Sequence, residues 1–299
     1  MKYYIGVDLG GTSVRVAKVS QTGEVVYVSK SDSFADKGPK IVLNNIIEMI
    51  KQIPEYAQCS GIGVGIPGPV DTVKGHITLA TNLVDFEFFP VAEYLENALD
   101  MKVFMDNDAN VAGLAEALVG AGKGKAIVYY ITHSTGIGGA LVANGRVISG
   151  RTGYAGEIAN IKVTDTDEKI NHLITGAAEN EASGTAIADR ARKDIDPNIV
   201  NAKEVFDLFT EGNELAIDLI DDVAYKFAVM MASIAHVVDP HVFVIGGGVT
   251  KSADLYFDKV KRNYETLVHP GMHGVEVVLS ELDEPGIVGA AMLPMSYGL

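Results

Sequence analysis

Ile5-Gly6-Val7-Asp8-Leu9-Gly10-Gly11-Thr12-Ser13-Val14-Arg15-Val16-Ala17-Lys18-Val19 reads as a strand, a glycine turn and a returning strand. Gly10 and Gly11 leave the backbone bare, so its N–H groups can approach an anion closely, and Thr12 and Ser13 add hydroxyl donors. Asp8 ends the apolar strand beside that nest. A carboxylate next to a phosphate-shaped turn makes sense if a divalent cation sits between them.

The device recurs downstream. Residues 127–132 form a strand, residues 133–139 (His-Ser-Thr-Gly-Ile-Gly-Gly) a glycine turn, and residues 140–143 the returning strand. Two copies point to a duplicated α/β unit whose two nests could hold different phosphates of one nucleotide. The plainer reading is two ordinary hairpins with glycines where positive φ is needed; the recurrence weighs against it.

The chain has 299 residues, enough for two domains. Acidic residues outnumber basic ones 39 to 24, for a formal charge of -15, which argues against nucleic acid as a partner. The single cysteine, Cys59, excludes a disulfide framework and a Cys-rich metal site within the chain. A carboxylate at Asp8 is incompatible with a signal peptide, and the most apolar run, residues 227–238, contains His236 and stops at Asp239-Pro240, too short for a bilayer. A cytoplasmic protein without membrane partners is expected.

Taken in order, a third strand is expected over residues 25–29 and a helix from about Lys40, with Leu43, Ile46, Ile47, Ile50 and Ile53 at helical period and Pro54 ending it. Residues 61–66 are a strand with glycines at alternate positions, whose bare face suits close helix packing or ligand approach. Asn82 lies in the loop before a short helix at residues 90–99. A strand over residues 102–105 runs into Asp106-Asn107-Asp108-Ala109-Asn110 and a helix. Polar residues at the carboxyl end of a strand are where open α/β sheets place ligands. One of them would suffice to cap the helix; four exceed that need, which favours a site. Glu157 follows in a loop, Glu179 after residues 176–178, then helices at residues 204–210 and 214–238. A buried strand over residues 241–245 runs into Gly246-Gly247-Gly248. A helix over residues 253–264, a strand over 275–280 and a small-residue tail helix from Pro285 complete the chain. Gly124-Lys125 is followed by Ala126, so no Walker A pattern is present. The expected division is a smaller domain over residues 1–117, a larger one over 118–285, and residues 286–299 packing back on the first.

Together, Asp8-Leu9-Gly10-Gly11-Thr12, Asn107-Asp108, Thr135-Gly136-Ile137-Gly138-Gly139, Gly156-Glu157 and Gly246-Gly247-Gly248 resemble the ROK family of bacterial sugar kinases and regulators, from end to end and in the family's order. The resemblance implies the actin-like ATPase (ribonuclease H-like) fold, two α/β domains around a cleft. It implies an ATP-dependent hexokinase, most often a glucokinase. By that resemblance Asp108 is the catalytic base, and Asn82, Asn107, Glu157, Asn160 and Glu179 bind the sugar. Asp8, Gly10, Gly11 and Thr12 form the first phosphate turn, with Mg²⁺ near Asp8. Thr135, Gly136 and Gly138 form the second turn, and Gly247 and Gly248 lie on the adenosine side. A homodimer is expected. The chemistry agrees: a sugar hydroxyl needs a carboxylate to accept its proton, and phosphoryl transfer needs positioning and charge neutralisation.

Two departures stand out. The family's histidine three residues after Glu157 is Asn160 here, and its cysteine cluster is absent. Structural zinc is therefore not expected, since a tetrahedral site needs four N or S ligands. Packing of Ile161, Val163, Ile170, Leu173 and Ile174 is expected to hold the loop instead. Asn160 also leaves fructose, mannose, N-acetylmannosamine or a β-glucoside open beside glucose. A sugar-sensing regulator is the reading from another class. In this family such regulators carry a DNA-binding helix-turn-helix before the first hairpin, and only seven residues precede Asp8.

Overall fold

The computed structural model describes residues 1–80 and 82–299. In the first half, β1 (Tyr3–Leu9), β2 (Ser13–Ser20) and β3 (Val25–Asp32) form an antiparallel meander. Helix α1 (Pro39–Lys51) leads to β4 (Ile62–Ile66). A ribbon of β5 (Val70–Asp71) and β6 (His76–Ile77) precedes α2 (Val91–Leu99), β7 (Val103–Asn107) and α3 (Asp108–Leu118). The sheet order is β3-β2-β1-β4-β7, with β1, β4 and β7 parallel. β3 and β7 each run beyond the lengths expected from sequence, because their ends still pair with β2 and β4.

The second half repeats this plan. Hairpin β8 (Ile127–His133) and β9 (Ile137–Ala143) is followed by β10 (Arg146–Val147). Helices α4 (Ala178–Ala182), α5 (Gly184–Asp194), α6 (Ala202–Thr210) and α7 (Glu214–Val238) lead to β11 (Val242–Gly246). Then come α8 (Ala253–Leu267), β12 (Glu276–Leu279) and α9 (Pro285–Ser296). The order β10-β9-β8-β11-β12 places third, second, first, fourth and fifth strands as in the first sheet. Among the described residues no helix is long and apolar enough to cross a membrane.

Two compact units result: Met1–Tyr130 with Ala140–Gly156 and Ser280–Leu299, and Ile131–Gly139 with Glu157–Leu279. In the first, α9 lies against β1, β4 and α3. The alternate glycines of β4 belong to this contact. A Cβ at Gly63 would meet the carbonyl oxygen of Ala290 at 1.7 Å, and one at Gly289 would meet that of Val111 at 1.6 Å. The bare face of β4 is thus covered by helix backbone, the packing alternative of the two that sequence left open.

In the second unit the glycine turn is tighter than residues 133–139. β8 continues through His133, whose ring is fully buried. It stacks on Phe227 with centroids 4.6 Å apart. Nε2 lies 2.8 Å from the carbonyl oxygen of Ala182, which only accepts, so Nε2 carries the proton and Nδ1 accepts from the Tyr256 hydroxyl at 2.9 Å. Burial lowers the His133 pKa from 6.5 to about 4, with the Ala182 carbonyl acting in the opposite sense.

Gly63→Ala should destabilise the protein by about 2–3 kcal/mol, because the opposing atom is backbone and cannot rotate away; an unchanged melting temperature would show that α9 is not seated so closely. For His133 the folded pKa lies below the unfolded one, so its contribution to stability is complete above about pH 6.5 and is lost as pH falls towards 4. Urea unfolding from pH 7 to 4 should show a decline that is shallower in His133→Gln; equal slopes would contradict the assignment.

Candidate active site

The residues singled out in the sequence fall into two groups, one in each unit. In the first unit, β7 passes into α3 without a loop. Asn107 makes this possible: its Oδ1 accepts the N–H of Ala109 at 2.9 Å, and its Nδ2 donates to the carbonyl oxygen of Gly68 at 3.1 Å. Asp106 and Asn110 turn inward. Asp106 Oδ1 accepts from Asn110 Nδ2 at 2.7 Å, and its Oδ2 from the Ser149 hydroxyl at 2.7 Å, all three residues being buried. Of the four polar residues read as a site, two therefore form an internal network and one caps the helix.

Asp108 is left at the surface, at the first position of α3. Its Oδ1 accepts from the Ala109 N–H at 2.8 Å. Desolvation by the surrounding protein raises its pKa above the ordinary carboxylate value, although its surface is reached by solvent. The Ala109 N–H works against the rise and the charge of Asp8 adds to it.

Asp8 itself lies across the β1–β2 ladder from Arg15. Arg15 Nη2 is 2.5 Å and Nε 3.2 Å from Asp8 Oδ2, and its Nη1 pairs with Glu284. The first glycine turn is braced by Gly10 N–H donating to Ser13 O at 2.9 Å, and by Ser33, whose hydroxyl donates to Gly11 O at 3.0 Å and whose N–H donates to Thr12 O at 3.2 Å. Gly11, Thr12 and Asn82 line one open concavity of about 1030 Å³.

In the second unit, Thr135 and Gly248 line a cavity of about 660 Å³ together with Gly184, Thr185, Phe206 and Val249. Gly247 has φ 96°, and a Cβ there would meet the carbonyl oxygen of His133 at 2.4 Å. Gly138 lies in β9. Gly136 and Glu179 line a neighbouring concavity of about 490 Å³, to which Thr135 and Thr185 also belong. Glu157 is exposed and precedes a short 3₁₀ turn that ends at Asn160.

The loop over residues 160–176 is held differently from expectation. Val163 and Leu173 are buried, but Ile170 is 55% and Ile174 42% exposed, so these two do not hold it by packing. Polar ties do that work. Asn160 Oδ1 accepts the Ile174 N–H at 2.8 Å, Val163 N–H donates to Gly176 O at 2.8 Å, and Asn171 and Asn180 exchange amide hydrogen bonds of 2.8 and 3.0 Å. Sequence reasoning missed Arg15 and Glu284; counting outward from the Gly10-Gly11 turn would have set Arg15 opposite Asp8.

A family model described as "ROK family" matches residues 4–296. The chain is 31% identical to a glucokinase of Thermotoga maritima over 304 residues, 97% of this chain and 96% of that protein. The ROK hexokinase of Thermus thermophilus superimposes with a TM-score of 0.88 at 30% identity, over 97% of each chain. A ROK glucokinase from Streptomyces griseus, solved with glucose and AMPPNP, has a TM-score of 0.77 at 25% identity, covering 97% of this chain and 98% of that one. With a family match across almost its whole length and one strand order used twice, this chain belongs to the ROK family, as a glucokinase-like member with the actin-like ATPase fold.

Proposed function

We propose that the protein transfers the γ-phosphoryl group of ATP to a hexose hydroxyl, with glucose as the first choice and Asp108 as general base. The observation that carries this reading is the placement of Asp108: a solvent-reached carboxylate at a strand–helix junction, with its pKa raised and Asp8 close enough to act on it. A raised pKa makes the carboxylate a better proton acceptor. The carboxylate takes the hydroxyl proton as the sugar oxygen bonds to the γ-phosphorus; the bond to the β–γ bridging oxygen breaks and ADP leaves.

The cavity at Thr135 and Gly248 has a volume that suits a nucleotide. Asp8 is the carboxylate that would hold Mg²⁺, through Oδ1, since the Arg15 guanidinium takes Oδ2; Mg²⁺ commonly uses one carboxylate plus substrate phosphates. When bound, Mg²⁺ would neutralise phosphate charge. Asn82, Asn107, Glu157, Asn160 and Glu179 supply acceptors and donors for a polyol. Asn107 has its carbonyl oxygen on the Ala109 N–H and its amide nitrogen on Gly68 O and the Asp108 carboxylate, whereas Asn160, whose carbonyl oxygen meets the Ile174 N–H, can turn its Nδ2 to a hydroxyl oxygen. A coupled assay across a sugar panel tests the substrate.

Asp108→Asn should lower turnover by about 10²–10⁴ while sugar affinity changes much less; turnover within a few-fold of wild type would remove Asp108 from the role. In the wild type, kcat/KM should fall on the acid side with an apparent pKa above the ordinary aspartate value of about 3.9, and an acid limb at or below that value would contradict the shift.

The loop over residues 160–176 is proposed to hold without zinc. A zinc-selective chelator, with Mg²⁺ restored, should leave activity unchanged, whereas Asn160→Ala should speed hydrogen exchange of the Ile174 amide. Stoichiometric zinc in the untagged protein, or chelator-induced loss rescued by zinc, would overturn this.

A further inference from the structure

The second glycine turn is tied to its unit from both sides of its backbone. Its carbonyls are taken from below: Gly184 N–H donates to Ser134 O at 2.8 Å and Thr185 N–H to Thr135 O at 3.2 Å. From the other side the tie is a side chain. Glu179, in the first turn of α4, accepts the Ile137 N–H on Oε2 at 2.9 Å. The same oxygen lies 2.5 Å from where a Cβ would stand on Gly136, while Oε1 is 3.9 Å from that point. One oxygen of the carboxylate is committed to the turn and the other faces away from it.

We propose that Glu179 is a positioning residue that couples the acceptor sugar to the second phosphate turn. The inference rests on the kinase reading above. A sugar hydroxyl donating to Oε1 fixes the plane of the carboxylate, which fixes Oε2 and with it the Ile137 amide. An anion drawn to the turn acts on the same carboxylate in reverse. Linkage then requires that each ligand change the affinity of the other by the same factor. Glycine at 136 is needed because a methyl group would displace Oε2; its φ is not left-handed, so alanine meets no other obstacle there.

Calorimetry tests this with AMPPNP titrated into wild type, Gly136→Ala and Glu179→Asp, each without sugar and with saturating glucose, or the panel sugar that the wild type phosphorylates. Gly136→Ala keeps the acid but pushes it off the turn, and Glu179→Asp keeps the charge but shortens its reach; circular dichroism checks that each is folded, and the second serves if the first is not. In the wild type, sugar should tighten AMPPNP binding by about fivefold or more. In the variants that ratio should approach one, and Gly136→Ala should also weaken sugar binding several-fold although no part of Gly136 would contact sugar. A wild-type ratio of one, or an unchanged ratio in the folded variants, overturns the coupling and leaves the kinase reading intact. A wild type that binds and phosphorylates no sugar of the panel overturns both.

Discussion

The junction between β7 and α3 has no connecting residue, and everything proposed for the first unit's chemistry depends on it. A strand that turns directly into a helix leaves the first helical N–H groups without partners. Asn107 supplies one acceptor from the last strand position, and its amide nitrogen holds the chain to Gly68. One residue earlier, the carboxylate of Asp106 anchors the strand end to Asn110 and Ser149 in the interior. Asp108 therefore starts from a backbone fixed on both sides. A carboxylate on a free loop would lose that orientation and much of the desolvation that raises its pKa.

Much of this architecture is legible in the sequence because two periodicities alternate cleanly. The glycine hairpins, the helical stripe from Leu43 to Ile50 (the helix stops at Lys51, so Ile53 falls beyond it) and the buried strand before Gly246 each carry a local signal. The family motifs likewise mark positions such as Asp108 and Glu179. What they do not carry is contact across long separations. Nothing near Asp106 announces Ser149 as its partner, and nothing near Ile137 announces Glu179. Ile170 and Ile174 show the converse failure: in a segment without regular period, hydrophobicity says little about direction, and both side chains face solvent.

Polar ties replace hydrophobic ones in that loop for a reason of scale. Ala159, Leu173 and Ala177 form a small apolar cluster, too little area to fix the seventeen residues of the 160–176 loop by burial alone. The Ile174 amide met by Asn160, together with the Asn171–Asn180 pair, gives direction as well as attachment. Hydrogen bonds of this kind contribute only about 1 kcal/mol each, so the loop is ordered by several modest contacts in concert, and its register is set by geometry more than by strength.

The seat of α9 on β1 and β4 bears on how the chain is made. Translation delivers the first sheet early, but the helix that covers its glycine-lined face follows the whole second unit in the chain and leaves the ribosome after it. The Tyr4 hydroxyl donates to the carbonyl oxygen of Leu299 at 2.7 Å, tying the segment after α9 to β1 within the same unit. Domains of a nascent protein generally complete themselves from the N-terminus onward. Here the order is reversed: the second unit has all its residues outside the tunnel first, while the first waits with a bare apolar face for a helix still being synthesised. That interval is when the nascent chain is most open to chaperones and to aggregation.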